Sequence, residues 1–159
     1  MAQPIPPGFH TVTPHLVVRD AARALEFYKQ AFGAEVQGIM HEPSGRIMHA
    51  VIKIGDSLIM LNDEFPEMGT LSPQSVGGSS VTLHIYVANV DALYQKATAA
   101  GAKTTMPVMD MFWGDRYGKV TDPFGHHWSL GTHTRDLTVE ETQKGQEEAM
   151  ARMQQKKSA

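Results

Sequence analysis

Six side chains of a kind that does chemistry stand in or beside apolar runs of this sequence: His15, His49, His84, Arg116, His127 and Ser129. An imidazole moves protons near neutral pH or ligates a metal, and a guanidinium holds a carboxylate or carbonyl oxygen. Their spacing links them. His15 follows Thr13 by two residues and His84 follows Thr82 by two, so in extended chain each pair shares a face. A hairpin at Gly55-Asp56 sets His49 opposite Asn62 and Val51 opposite Met60, again on one face. Such a set suits a polar pocket that hydrogen-bonds a small ligand. The plainer outcome is that these imidazoles bond one another, the backbone or water. The chain has no cysteine and no Gly-x-Ser-x-Gly turn, so the usual cysteine and serine nucleophiles are missing.

The second half of the set lies in Asp110 to His133, DMFWGDRYGKVTDPFGHHWSLGTH. This stretch reads as a β-hairpin with arms Asp115 to Thr121 and His126 to Gly131 around a type I turn, Asp122-Pro123-Phe124-Gly125. On that reading Thr121 faces His126, Val120 faces His127, Gly118 faces Ser129, and Arg116 lies near Gly131. Alternation then places Arg116, Gly118, Val120, His127 and Ser129 on one face, expected to line a cavity, with Tyr117, Trp128 and Leu130 in the core. Trp113, after Phe112, offers a flat wall for an aromatic ligand or simply covers the end of the sheet. Asp115 and Arg116 form either an internal ion pair or a substrate clamp. His126 and His133 are expected to be structural.

The elements that position these residues follow from periodicity and breakers. Residues 1–9 hold three prolines and read as an extended arm. His10 to Val18 reads as a strand disturbed by Pro14. Asp20 caps a helix over Ala21 to Phe32, stopped by Gly33. Strands follow over Glu35 to Glu42, Arg46 to Ile54 and Leu58 to Asn62. Residues 66–80 are rich in Pro, Gly and Ser and read as a linker or mobile loop between two modules, 10–65 and 81–134. In the second module Val81 to Val87 is a strand, Val90 to Ala100 a helix, and Thr104 to Val108 a strand before the hairpin. Thr13-Pro14-His15-Leu16-Val17-Val18 matches Thr82-Leu83-His84-Ile85-Tyr86-Val87, and Phe32-Gly33-Ala34 matches Ala100-Gly101-Ala102, an internal repeat of about 70 residues. The expected fold is α+β: two β-α-β-β-β modules forming a curved, cleft-enclosing mixed sheet. A polar C-terminal helix follows over 135–159, opened by a Thr138/Glu141 capping box and closed by Lys156-Lys157.

Composition narrows the function. The chain has 159 residues, is 42% hydrophobic, and carries a net charge of −3 with the two signs interspersed. No basic footprint points to nucleic acid, and no apolar run is long enough to span a membrane. The N-terminus lacks the basic and apolar regions of a signal peptide, so a cytoplasmic protein is expected.

Thr13-Pro14-His15-Leu16-Val17-Val18-Arg19-Asp20-Ala21-Ala22 with Phe27-Tyr28, Met48-His49-Ala50, Ile54-Gly55-Asp56-Ser57, Met60-Leu61-Asn62-Asp63-Glu64 and Gly114-Asp115-Arg116 to Thr132-His133 resemble the vicinal oxygen chelate superfamily. That superfamily includes glyoxalase I, the bleomycin and fosfomycin resistance proteins and extradiol dioxygenases. The resemblance is nearest to its PhnB-like branch. In metal-dependent members two ligands per module, usually His and Glu, hold a divalent ion. Carried over by that resemblance, the four positions fall on Thr13, Met60, Thr82 and Ser129, none an imidazole or a carboxylate. The resemblance therefore implies a cleft without the usual metal and with no cofactor. It would bind a small metabolite or drug-like molecule through Thr13, His15, His49, Met60, Asn62, Thr82, His84, Trp113, Arg116, His127 and Ser129. The alternative is a metal-dependent lyase, isomerase or dioxygenase with a displaced site on His15, His84 and His49, completed by Asp63 or Glu64. Metal-free acid/base catalysis by His84 or His127 is a third reading. The resemblance also implies a homodimer.

Overall fold

The structure, a computed structural model, describes residues 2–157, the last two by backbone alone, so the side chains of Lys156 and Lys157 lie outside it. The element order is β1 (His15–Val18), α1 (Ala21–Phe32), β2 (Glu35–His41), β3 (Ile47–Ile54), β4 (Ser57–Asp63), α2 (Pro73–Val76), β5 (Thr82–Tyr86), α3 (Val90–Ala99), β6 (Lys103–Asp110), β7 (Asp115–Thr121), β8 (His127–His133) and α4 (Val139–Lys157). The strands form two four-stranded mixed sheets of the same topology, β1-β4-β3-β2 and β5-β8-β7-β6. In each, the first strand runs parallel to the fourth and the remaining pairs are antiparallel. The expected α+β fold with a C-terminal helix is present, and among the described residues the two sheets are not joined by strand pairing.

Local sequence explains the boundaries. The Asp20 side chain accepts from Arg23 N–H, and Gly33, at φ 67°, ends α1 in the left-handed conformation that glycine adopts without cost. Asn89 caps α3 in the same way, accepting from Ala92 N–H. The Thr138/Glu141 capping box forms in both directions, at 3.2 and 2.8 Å. β1 begins only at His15, because Pro14 has no N–H to give, although its carbonyl accepts from Met60 N–H.

One helix dominates the packing. α1 lies on β1, β3 and β4 and also touches α3, which lies on β6, β7 and β8. Phe27, Tyr28 and Phe32 form an aromatic cluster that reaches across to Phe124 and Trp128 of the second module. The helices thus sit between the two sheets, and each sheet turns its other face outward. Asp122 fixes the junction: one carboxylate oxygen accepts from Tyr28 O–H and Trp128 Nε1–H, each at 2.8 Å, and the other from the N–H groups of Phe124 and His126. Burial pushes the Tyr28 phenol well above its usual range, and the Asp122 charge adds to that. His126 bonds the Val17 carbonyl at 2.9 Å, tying the turn to β1.

The segment over 66–80 is more ordered than a bare linker. It holds a 3₁₀ turn (Pro66–Met68) and α2, and a Phe65–Thr70 bridge closes its first loop. Glu64 holds its second half, accepting from Ser75 Oγ–H and Ser72 N–H and pairing with Arg19. The Ser75 and Ser72 hydrogen bonds, with Arg19 beside them, depress the Glu64 carboxyl to about 2.

Candidate functional site

The register of the hairpin around Asp122-Pro123-Phe124-Gly125 differs from the sequence reading by one residue. Asp122 pairs with His126 through Asp122 N–H to the His126 carbonyl, leaving a three-residue loop with Gly125 at φ 91°. A type I turn followed by a left-handed glycine adds one residue to the loop, and each facing pair slips accordingly. Thr121 therefore faces His127, Lys119 faces Ser129, Tyr117 faces Gly131 and Asp115 faces His133. The outward face of β7 carries Asp115, Tyr117, Lys119 and Thr121. Arg116, Gly118 and Val120 turn toward the helices.

Arg116, expected in the cleft, is corrected by this register. Its guanidinium makes a two-pronged contact with Asp91 on α3, at 2.6 and 2.7 Å, and reaches Asp110 at 3.2 Å. It clamps α3 to the sheet from the covered side. Asp115, one candidate partner, pairs instead with His133.

On the outward face of the first sheet, β1 and β4 hold His15 beside Met60, and Val51 faces Met60 from β3. The rings of His15 and His49 meet edge to face, 5.8 Å apart. Asn62 is buried, its amide donating to the Asp63 carbonyl at 2.7 Å. Against this face lies an open concavity of about 490 Å³, lined by His15, Val17, Met48, Asn62, Phe65, Met68 and Thr70. Its far wall is thus the first loop of the 66–80 segment, held by Arg46, which pairs with Glu67 and stacks 4.3 Å from the Phe65 ring. Phe65, Met68 and Thr70 escaped the sequence reading, because a Pro/Gly/Ser-rich segment gives no periodicity by which to place a wall. Thr13 lies before β1, donates to the His10 carbonyl, and shares with Met60 a second hollow of about 300 Å³ under the N-terminal arm.

The outward face of the second sheet is arranged in cross-strand rows: Thr82, His127, Thr121; then His84, Ser129, Lys119; then Tyr86, Gly131, Tyr117. His84 Nδ1 and Ser129 Oγ are 2.7 Å apart, and Thr121 Oγ1 and His127 Nδ1 are 2.9 Å apart. Burial pushes the His84 imidazole below its ordinary value, the Asp115 charge only partly opposing it. Trp113 stands over the end of the face, its ring 5.4 Å from Tyr117 and its Nε1–H donating to Asp115 at 3.0 Å. Asp115 also accepts from Tyr86 O–H and bonds His133, which bridges to Asp136. Burial of the Asp115 carboxyl opposes its ionisation, but the hydrogen bonds from His133, Tyr86 and Trp113 outweigh that and hold it below the usual range. Tyr117 and Lys119 were missed because of the slipped register of β7, while Tyr86 follows His84 by two residues on β5 and shares its face. The signal was Val120, an apolar residue that belongs with Trp128 and Leu130.

The residues at the four positions where the resemblance sets its relatives' metal ligands do not fit a hard divalent ion. They are a thioether, Met60, and three neutral hydroxyls. The Thr13 hydroxyl is spent on a carbonyl and that of Ser129 on His84. Both carboxylates nominated for a displaced site are engaged elsewhere: Asp63 accepts from the N–H groups of Ala21 and Ile47, each at 2.7 Å, and Glu64 holds Ser72, Ser75 and Arg19. Among the described residues no three His, Asp or Glu side chains converge as ligands.

Comparison with known proteins agrees with this architecture. The model of the Glyoxalase/Bleomycin resistance protein/Dioxygenase superfamily matches residues 8–130. An uncharacterized protein of Mycobacterium bovis is 47% identical over 135 residues, 83% of this chain and 89% of its own. The crystal structure of TioX from Micromonospora sp. ML1 is 26% identical with a TM-score of 0.61, over 78% of this chain and 98% of its own. A PhnB protein from Bacillus cereus, 20% identical, shares the fold at a TM-score of 0.60 over 77% of this chain and 99% of its own. Two like β-α-β-β-β sheets, packed through their helices and matched by that model over most of the sequence, make this chain a member of the glyoxalase/bleomycin resistance/dioxygenase superfamily, with PhnB-like relatives among its structural neighbours.

Proposed function

We propose that this protein binds a small, partly aromatic metabolite or drug-like molecule on the outward sheet faces, without the divalent centre of its metal-dependent relatives. The observation that carries the reading is the walled concavity of about 490 Å³, in which Val17, Met48, Phe65 and Met68 supply apolar surface and His15, Asn62 and Thr70 a few polar groups. That mixture is what a small-molecule site requires. Hydroxyls and a thioether at the family's ligand positions support the metal-free part. The protein works as a homodimer: each chain turns its two open faces away from its shared helical layer, so the first sheet of one protomer and the second sheet of another close one cleft.

A thermal-shift screen of aromatic and polar small molecules, followed by calorimetric titration, tests the binding. Ligands should raise the melting temperature of the wild type, and Asn62→Leu together with Phe65→Ala should abolish the shift. Elemental analysis of the purified protein should find less than stoichiometric divalent metal, and one ion per chain would overturn the metal-free reading. Light scattering should give twice the chain mass.

A further inference from the structure

On the second sheet, two adjacent cross-strand rows differ sharply in chemistry. In one, His84, Ser129 and Lys119 stand side by side on β5, β8 and β7. In the next, Tyr86 and Tyr117 flank Gly131. The rows are about 7 Å apart along the strands, two residues of rise.

The first row presents donors. In the tautomer in which the Ser129 hydroxyl donates to His84 Nδ1, the ring proton sits on Nε2, and among the described residues that atom has no partner. The ring is packed closely on its neighbours. Tyr117 stacks on it at 5.8 Å and 14°, Tyr86 meets it edge-on at 4.2 Å, and it lies so close over Gly131 that a Cβ there would come within 3.1 Å of Cε1. Lys119, exposed on the same row, has no ion-pair partner among the described residues. The cation that the sequence alone assigns to this face as Arg116 is thus Lys119, one residue-pair over.

The second row presents rings, and Asp115 fixes two of those around it, holding Tyr86 O–H and Trp113 Nε1–H, each at 3.0 Å. Tyr117 lies between His84, stacked on it at 14°, and Trp113, which meets it edge to face at 78°. A preorganised aromatic platform beside one unpaired ammonium and one unpaired N–H fits a flat ring bearing a negative oxygen group.

We propose that the second sheet carries an aryl-anion subsite, in which the ligand's carboxylate or phenolate oxygen is held by Lys119 Nζ and His84 Nε2–H while its ring stacks on Tyr117 and meets Trp113 edge to face. The subsite rests on the reading that the outward faces bind ligands, and it names the chemical class one of them takes.

Isothermal titration of the full chain at pH 7.5 with 2-naphthoate, the neutral 2-naphthalenemethanol and the non-aromatic cyclohexanecarboxylate tests it. The naphthoate should bind more tightly than either of the others, by on the order of tenfold. Lys119→Met should cost a similar factor for the naphthoate and nothing for the neutral alcohol. Tyr117→Leu should weaken both aromatic probes. Lys29→Met, which removes a cation from α1 instead, should leave all three unchanged. Equal binding of the naphthoate and the alcohol, or a Lys119→Met variant that binds like wild type, overturns the subsite. If the naphthoate binds but only the Asn62→Leu, Phe65→Ala variant loses it, the first-sheet concavity survives and the subsite fails. If no probe binds, the subsite fails on its own, and the screen above still decides the wider reading.

Discussion

The two sheets share a topology and differ in almost everything laid upon it. The outward face of the first is soft and hollow: Val17, Val51 and Met60 with two imidazoles, backed by a loop that builds a wall. That of the second is a lattice of side-chain hydrogen bonds and stacked rings. The covered faces differ too. α1 buries Leu25, Phe27, Tyr28 and Phe32, whereas α3 fully buries only Val90 and Ala97. The two modules share a backbone scheme, while one carries the bulkier helix and the other the more ordered surface.

Breaking the shared core should have the largest effect. Trp128→Ala removes a side chain 1% exposed that packs on Tyr28 and Phe32, and should cost about 4 kcal/mol in urea unfolding.

The anchors of the two helices give a direct contrast. At matching places, the end of β4 and the end of β8, Asp63 accepts from Ala21 N–H and Thr132 Oγ1 from Val90 N–H. Asp63 also takes Ile47 N–H. Asp63→Ala leaves two buried donors unmet and should cost about 3 kcal/mol, against about 1 kcal/mol for Thr132→Val, measured by the same unfolding.

Glu64 sharpens the comparison by pH, since its carboxyl in the first module is held down to about 2. Its folded value lies below the ordinary one of about 4.3, so its stabilisation is complete above about 4.3 and lost as pH falls toward about 2. Glu64→Gln should therefore lower the melting temperature at pH 6, and the gap from wild type should close by pH 2.

The smallest effect on stability belongs to Gly131→Ala. The new methyl would meet His84 Cε1 at 3.1 Å and Nε2 at 3.2 Å, near the free edge of the ring. The melting temperature should shift little, while the ring tilts and naphthoate affinity falls several-fold. An unchanged affinity would show that the ring's seat does not matter.

Much of the fold was legible because its signals are local. The Asp20 cap, the Gly33 stop, the Gly55-Asp56 hairpin and the Thr138/Glu141 box each depend on neighbours in sequence, and the repeat supplied the second half. The site was half legible. His15, His49, Met60 and Asn62 share a face because a tight two-residue turn fixes their register. Arg116 was misplaced because Gly125 lengthens the next turn by one residue, and a period of two converts that into the opposite face. The wall at Phe65 to Thr70 depends on Arg46, distant in sequence, and no local pattern announces it.

Asp122 gives the last consequence. Its carboxylate draws together the phenol of one module's helix, the indole of the other module's last strand and the turn before it. A chain built of two like modules should therefore melt as one unit. Cut between residues 80 and 81, neither piece would hold its shape alone, since α1 would lose its aromatic cover and Trp128 its seat. Mixed, the pieces should find each other, and heat should take them apart in one transition.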